Sequence, residues 1–311
     1  MKIAFLFPGQ GSQSVGMLDA WLDQDGVQAM LNEADQALGE NLSALIAQGP
    51  AEELNLTVNT QPAMLLAAVL MYRQWEQAGG PQPAVMAGHS LGEYSALTAA
   101  GALDLDDALR LVRIRAQAMQ DAVPVGEGAM AAIIGLEDEA VTSLCTALCD
   151  AGQVVEAVNF NAPGQVVIAG HREAVEQACE QAKAQGARRA MLLPVSAPFH
   201  SRLLKPAAEQ LEQALGQIDL RAPQYPVINN VDVARPQEPD AIKEALVRQA
   251  WNPVRWVESI QAMQADGVTH FIECGPGRVL TGLVRRIARG STLLSFSDPQ
   301  SMNEVLNQLK A

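Results

Sequence analysis

The sequence predicts an α/β fold: a parallel sheet covered by helices on both faces, interrupted by a smaller subdomain of βαββαβ order. Three observations predict it. Strand-like and helix-like apolar patterns alternate along most of the chain, as expected of parallel strands joined by crossover helices. Residues 127–195 depart from that alternation and place two strands around a tight turn, in the split-βαβ or ferredoxin-like order. Two glycine-rich turns, Pro8-Gly9-Gln10-Gly11 and Gly88-His89-Ser90, each follow a short apolar strand. The carboxyl ends of parallel strands are where such sheets carry their sites.

Taken in order, residues 2–7 read as the first strand, because the apolar run stops at Pro8-Gly9, too soon for a signal-peptide core. Residues 62–77 read as a helix rich in Ala, Leu and Met, capped by Asn59 or Thr60 and closed by Gly79-Gly80. A strand at 84–87 and helices at 91–100 and 106–123 follow. Within the insert, 129–135 is a strand and 137–150 a helix. Strands 154–158 and 165–169 flank the turn Asn161-Ala162-Pro163-Gly164, and a helix at 172–185 and a strand at 189–194 complete the unit. The α/β pattern then resumes with helices at 201–216, 238–250 and 252–265, the last capped by Asn252 with Pro253 in its first position. Strands are expected at 226–229 and 268–273, and a final helix at 278–289. The division is thus a large unit of residues 1–126 and 196–311 and a small unit of 127–195.

A chain of 311 residues, 49% of them hydrophobic and 18% charged, can bury a large core and is not disordered. A net charge of −14 without any long Lys/Arg run excludes a nucleic-acid surface. The longest apolar stretch, residues 63–71, is far short of a membrane span. Cys145, Cys149, Cys179 and Cys274 lack metal-ligand spacing and read as buried free thiols, which points to a reducing, cytoplasmic setting.

Gly88-His89-Ser90-Leu91-Gly92 is a Gly-x-Ser-x-Gly turn between a strand and a helix. Glycines at −2 and +2 fit a turn too sharp for β-carbons, and the turn exposes the serine hydroxyl and frees the next backbone N–H for an oxyanion. A serine needs a base, and four histidines are available. His89 adjoins Ser90 but leaves the turn in another direction. His171 precedes a helix and reads as a cap or a solvent-exposed side chain, and His270 as a strand residue. His200 closes the proline-containing stretch 194–200 where the insert rejoins the large unit, a setting that faces a cleft. No carboxylate stands out as an orienting third group. On the helix at 106–123, Arg113 and Arg115 flank the apolar stripe Leu105, Leu109, Val112, Ala116 and Met119. Either could grip a substrate carboxylate or merely cover the stripe, and periodicity does not choose.

Eight ordered segments carry a resemblance across nearly the whole chain. They are Phe7-Pro8-Gly9-Gln10-Gly11-Ser12-Gln13, Asn59-Thr60-Gln61-Pro62-Ala63, Gly88-His89-Ser90-Leu91-Gly92-Glu93-Tyr94 and Gly128-Ala129-Met130-Ala131-Ala132. Downstream come Asn161-Ala162-Pro163-Gly164-Gln165, residues 195–200, Asn252-Pro253-Val254 and Glu273-Cys274-Gly275-Pro276-Gly277. With these the chain resembles the malonyl-CoA:acyl carrier protein transacylases of bacterial fatty-acid synthesis. The resemblance implies an α/β-hydrolase-like domain with a ferredoxin-like insert, Ser90 as nucleophile, and His200 as base oriented by the Gln249 carbonyl. It selects Arg115 as the malonyl clamp, gives the oxyanion to the Gln10 and Leu91 N–H groups, and lines the pocket with Gln61 and Asn161.

It further implies a cytoplasmic monomer without a cofactor, moving malonyl from malonyl-CoA to acyl carrier protein by a ping-pong route through malonyl-serine. From the bulk of Phe199 beside the base we expect malonyl to be favoured over branched methylmalonyl. Arg188, Arg189, Arg278, Arg285, Arg286 and Arg289 are the expected contacts for an acidic carrier protein. A serine hydrolase or thioesterase, and a transacylase of polyketide or malonate-decarboxylation systems, are the competing readings.

Overall fold

The computed structural model describes residues 1–149 and 152–310. Asp150, where the expected helix 137–150 ends, and Ala311, the end of the expected large unit, lie outside the described residues. The first part of the chain runs β1 (Ile3–Phe7), α1 (Val27–Leu38), α2 (Leu42–Gln48), α3 (Ala51–Leu54), α4 (Thr57–Gln77), β2 (Val85–Gly88), α5 (Leu91–Ala99) and α6 (Leu105–Asp121). A middle part follows as β3 (Gly128–Ile134), α7 (Asp138–Leu148), β4 (Val155–Ala162), β5 (Gln165–His171), α8 (Arg172–Ala184) and β6 (Arg189–Leu192). The last part is α9 (Lys205–Leu215), β7 (Val227–Ile228), α10 (Pro239–Gln249), α11 (Trp256–Ala265), β8 (His270–Cys274), α12 (Val279–Ile287), β9 (Thr292–Phe296) and α13 (Pro299–Lys310).

The large sheet has the order β7-β2-β1-β8-β9, and every pairing in it is parallel. β1 lies at its centre, and all five of its residues are buried. Successive side chains point to opposite faces, so Ile3, Phe5 and Phe7 join one core and Ala4 and Leu6 another. Burial on both faces explains the continuous apolar run IAFLF. Phe5 meets Tyr72 and Trp75 of α4 edge-on at 5.3 Å, and Trp75 stacks on Phe296 of β9 at 5.4 Å. Truncating Phe5 to Ala would cost about 3–5 kcal/mol.

The small sheet has the order β4-β5-β3-β6 with antiparallel pairing throughout. One face packs on α7 and α8 through Ala131, Ile133, Val166 and Ile168. From the other face Met130, Val158, Val167 and Ala169 join the main core of the large sheet. The cleft between the sheets is therefore lined by both. Above the large sheet, the carboxyl ends of β1, β2 and β7 bring Pro8-Gly9-Gln10, His89-Ser90 and Asn229-Asn230 together.

Three local expectations are corrected. α4 starts at Thr57 and contains Pro62, without a side-chain cap. The Asn59 amide and Thr60 hydroxyl instead bond back to the Glu53 and Leu54 carbonyls. Asn161 belongs to β4, which continues to Ala162 with a register shift. Asn252 does not cap a helix: its amide donates to the Arg248 carbonyl at the end of α10, Val254 bridges to Asn159, and α11 begins at Trp256.

Candidate active site

Ser90 sits between β2 and α5 with φ 53° and ψ −111°, a conformation that L-residues rarely adopt. A β-carbon on Gly88 would lie 1.8 Å from the Gly92 carbonyl carbon, and one on Gly92 would lie 2.0 Å from the Phe7 oxygen. Only glycine fits at either place. Asn230 clamps the turn: its Oδ1 accepts the Ser90 N–H at 2.7 Å, while its Nδ2 donates to the Gly88 carbonyl at 2.7 Å.

His200 lies on the loop after β6, also at positive φ, 65°. Its Nε2 is 2.7 Å from Ser90 Oγ and its Nδ1 is 2.8 Å from the Gln249 carbonyl. A carbonyl only accepts, so Nδ1 carries the proton and Nε2 is free to take one from the serine. Burial, followed by the nearby Arg115 charge, pushes the His200 pKa down to about 3, so the imidazole is neutral at physiological pH.

Arg115 is 2% exposed and points from α6 into the same space. It donates to Gln61 Oε1 at 2.6 Å, Gln249 Oε1 at 3.0 Å and Ser90 Oγ at 3.1 Å, and lies 5.2 Å over the Tyr94 ring. All three acceptors are neutral, so a buried positive charge stands beside the serine without direct compensation. Burial lowers its pKa, but a guanidinium keeps its proton. Arg113 instead pairs with Glu40 at 2.7 Å on the outer side of α6, so of the two margin arginines Arg115 is the one that reaches Ser90.

These groups share a cavity of about 230 Å³, lined also by Gln10, Leu91, Met119, Met130, Asn159, Asn161, Phe199, Val279 and Leu283. Neither the Gln10 nor the Leu91 backbone N–H has an acceptor among the described residues. The Gln10 side chain accepts from Thr57, which also holds Gln61. Asn161 Oδ1 meets His89 Nε2 at 2.7 Å, tying the small sheet to the serine turn. All eight expected site residues therefore meet in one place. Chemically, the arrangement can deprotonate a hydroxyl, receive an oxyanion on backbone donors, and hold an anionic group.

The sequence reading missed Glu93 and Asn230. Glu93 is the one charged residue of α5 and sits in its first turn, a legible signal, and burial raises its pKa to about 7. Asn230 gave only the weak signal of a paired amide after a two-residue strand. His89 leaves the turn away from the Ser90 hydroxyl and meets Asn161. His171 occupies the N-cap position of α8 and is half-buried, but its side chain makes no cap bond: its Nδ1 accepts the Val154 N–H. Among the cysteines, Cys149 is only half-buried, whereas the other three are buried; all four are free. Among the described residues no helix is long and apolar enough to cross a membrane, and no group of three His, Cys, Asp or Glu side chains is placed to hold a metal.

The acyl transferase domain family matches residues 4–303. Malonyl CoA-acyl carrier protein transacylase of Escherichia coli (strain K12) is 55% identical over 306 residues, covering 98% of this chain and 99% of that protein. The crystal structure of acyl-carrier-protein S-malonyltransferase from Burkholderia pseudomallei has a TM-score of 0.96 at 60% identity, covering 99% of this chain and 100% of that one. A malonyl-transacylase in complex with its type II polyketide acyl carrier protein has a TM-score of 0.96 at 50% identity, again covering 99% and 100%.

Proposed function

The chain belongs to the acyl transferase domain family, and from that membership we propose that it moves malonyl groups from malonyl-CoA to acyl carrier protein in fatty-acid synthesis. The observation that carries the choice of acyl group is the buried Arg115 guanidinium, 3.1 Å from Ser90 Oγ and bonded only to neutral acceptors. An acyl chain with a free carboxylate would compensate that charge; an uncharged acyl chain would leave it as it is.

The reaction then proceeds in two halves. His200 Nε2 takes the Ser90 proton as Oγ attacks the thioester carbonyl. The oxyanion accepts the N–H groups of Gln10 and Leu91, a contribution of several kcal/mol. As the tetrahedral species collapses, the C–S bond breaks and the CoA sulfur leaves with the proton from His200. The phosphopantetheine thiol of the carrier next gives its proton to His200 and attacks the malonyl-serine ester, and the proton returns to Ser90 Oγ. Gln249 orients His200 through its carbonyl, while Gln61 and Asn161 line the acyl and pantetheine path.

We read the large unit, 1–126 and 196–311, as α/β-hydrolase-like and residues 127–195 as a ferredoxin-like insert. The parallel order of the one and the β-α-β-β-α-β order of the other support this. In the same reading the enzyme is a cytoplasmic monomer without a cofactor or a nucleic-acid partner, and its charge of −14 supports the last point. Carrier protein docks on arginines near the cavity mouth: Val279 and Leu283 of α12 line the cavity, and Arg278, Arg285 and Arg289 flank them in sequence and are exposed. The transfer itself is the test. Incubation with malonyl-CoA and holo carrier protein should yield malonyl-carrier, and free malonate released faster than malonyl-carrier would favour a thioesterase.

A further inference from the structure

Glu93 takes no part in the chemistry above, yet it lies beneath it. Its side chain is 2% exposed, and a buried carboxylate is tolerated only where its partners compensate it. Both partners meet one oxygen: Oε2 accepts the Asn230 N–H at 2.8 Å and a Gln249 Nε2–H at 2.9 Å. Nε2 of Gln249 also donates to the Ser90 carbonyl at 3.0 Å, while Oε1 of the same amide accepts from Arg115 at 3.0 Å.

The two ends of a glutamine amide are nearly isosteric, so their neighbours decide which way it points. A flipped Gln249 would press its NH₂ against the Arg115 donors and its oxygen against the Glu93 carboxylate. Both contacts would be repulsive. With Glu93 in place as acceptor of the Gln249 Nε2–H, the amide oxygen must face Arg115. We propose that Glu93 is a positioning residue that sets the acyl selectivity of Ser90, acting through Gln249 to hold Arg115 ready for a substrate carboxylate. The proposal rests on the reading of Arg115 as the carboxylate clamp.

Wild type, Glu93→Ala, Glu93→Gln, Gln249→Met and the Glu93→Ala/Gln249→Met double variant are compared for kcat/KM with malonyl-CoA and with acetyl-CoA, holo carrier protein being the acceptor. Glu93→Ala is expected to lower the malonyl value by about ten- to a hundred-fold, the effect of leaving one or two buried donors unsatisfied, and to leave the acetyl value nearly unchanged. Gln249→Met, which also removes a bond to the Ser90 carbonyl, should lower the malonyl value by at least as much as Glu93→Ala, and the double variant should be no worse than Gln249→Met alone. Glu93→Gln, whose amide oxygen can accept both donors, should restore the malonyl-to-acetyl ratio. Equal loss for both donors, additive losses, or a wild-type ratio in Glu93→Ala would overturn the proposal. Should Glu93→Ala fail to fold, Glu93→Met, similar in volume but without an acceptor for the two donors, takes its place with the same expected selective loss. A wild-type protein that transfers no malonyl overturns the proposed function instead.

Discussion

Gln249 holds His200 through a backbone carbonyl 2.8 Å from Nδ1, where serine hydrolases commonly use a carboxylate. A carbonyl orients the imidazole and fixes its tautomer, but it brings no full negative charge to stabilise an imidazolium. Burial and the nearby Arg115 charge, with no carboxylate to offset them, keep the imidazole neutral at rest. In the proposed ping-pong route, an imidazole without a carboxylate behind it would suit an acyl-serine that waits for a thiol.

The pH dependence follows from this state. Because the folded His200 pKa is pushed from 6.5 down to about 3, the rate of Ser90 acylation in Glu93→Gln, which removes the Glu93 titration near 7, should stay flat from about pH 7 to pH 5 in stopped-flow measurements. A fall with a midpoint near 6.5 would contradict it. The depressed pKa also contributes stability that is present above 6.5 and lost as pH falls from there toward about 3. His200→Ala should accordingly show a weaker loss of melting temperature over that acid range.

Replacing Arg115 by Ala should lower kcat/KM for malonyl-CoA by roughly 10²- to 10³-fold, the scale of a lost buried charge pairing. Acetyl transfer should hold or rise. Arg115→Lys should not restore malonyl transfer, because one ammonium cannot make the guanidinium's simultaneous bonds to Gln61, Gln249 and a carboxylate. Steady-state kinetics with both acyl donors check the prediction, and parallel losses for the two would count against it.

Much of the site was legible because the backbone demands of its turns leave marks in residue type. Gly88 and Gly92 are glycines because any β-carbon would strike backbone, and Phe5 and Phe7 are apolar because β1 is covered on both faces. Periodicity did less well where a side chain's partner lies far along the chain. Arg113 and Arg115 are equivalent on a helical wheel, and only the packing of α6 against the serine turn separates them. Glu93 and Asn230 escaped notice for the same reason: their bond joins residues 137 positions apart. Asn59, Thr60 and Asn252 misled because each bonds backward to a preceding carbonyl, using the same polar atoms a forward cap would use.

Phe199 is buried in the cavity wall next to His200. Phe199→Ala should raise methylmalonyl transfer relative to malonyl by roughly tenfold, the scale of admitting one methyl group. Competition between the two CoA esters, read by mass spectrometry of the carrier, measures it. An unchanged ratio would place the branch-sensing contact elsewhere.

On the carrier side, Arg286 bonds to Gln165 and to the Pro163 carbonyl, so its charge is partly spent within the protein. Reversing the exposed Arg285 and Arg289 to Glu should raise KM for carrier protein about fivefold at low salt and leave KM for malonyl-CoA unaltered. Equal effects on both constants would remove α12 from the docking surface.

Every proposed step passes through a malonyl ester on Ser90, and intact-protein mass spectrometry after brief exposure to malonyl-CoA without carrier detects it. One malonyl increment is expected on the wild-type chain, located by peptide mapping at Ser90, discharged by holo carrier protein and absent from Ser90→Ala. An increment that persists in Ser90→Ala, or none on a wild-type chain that still transfers malonyl, would contradict it.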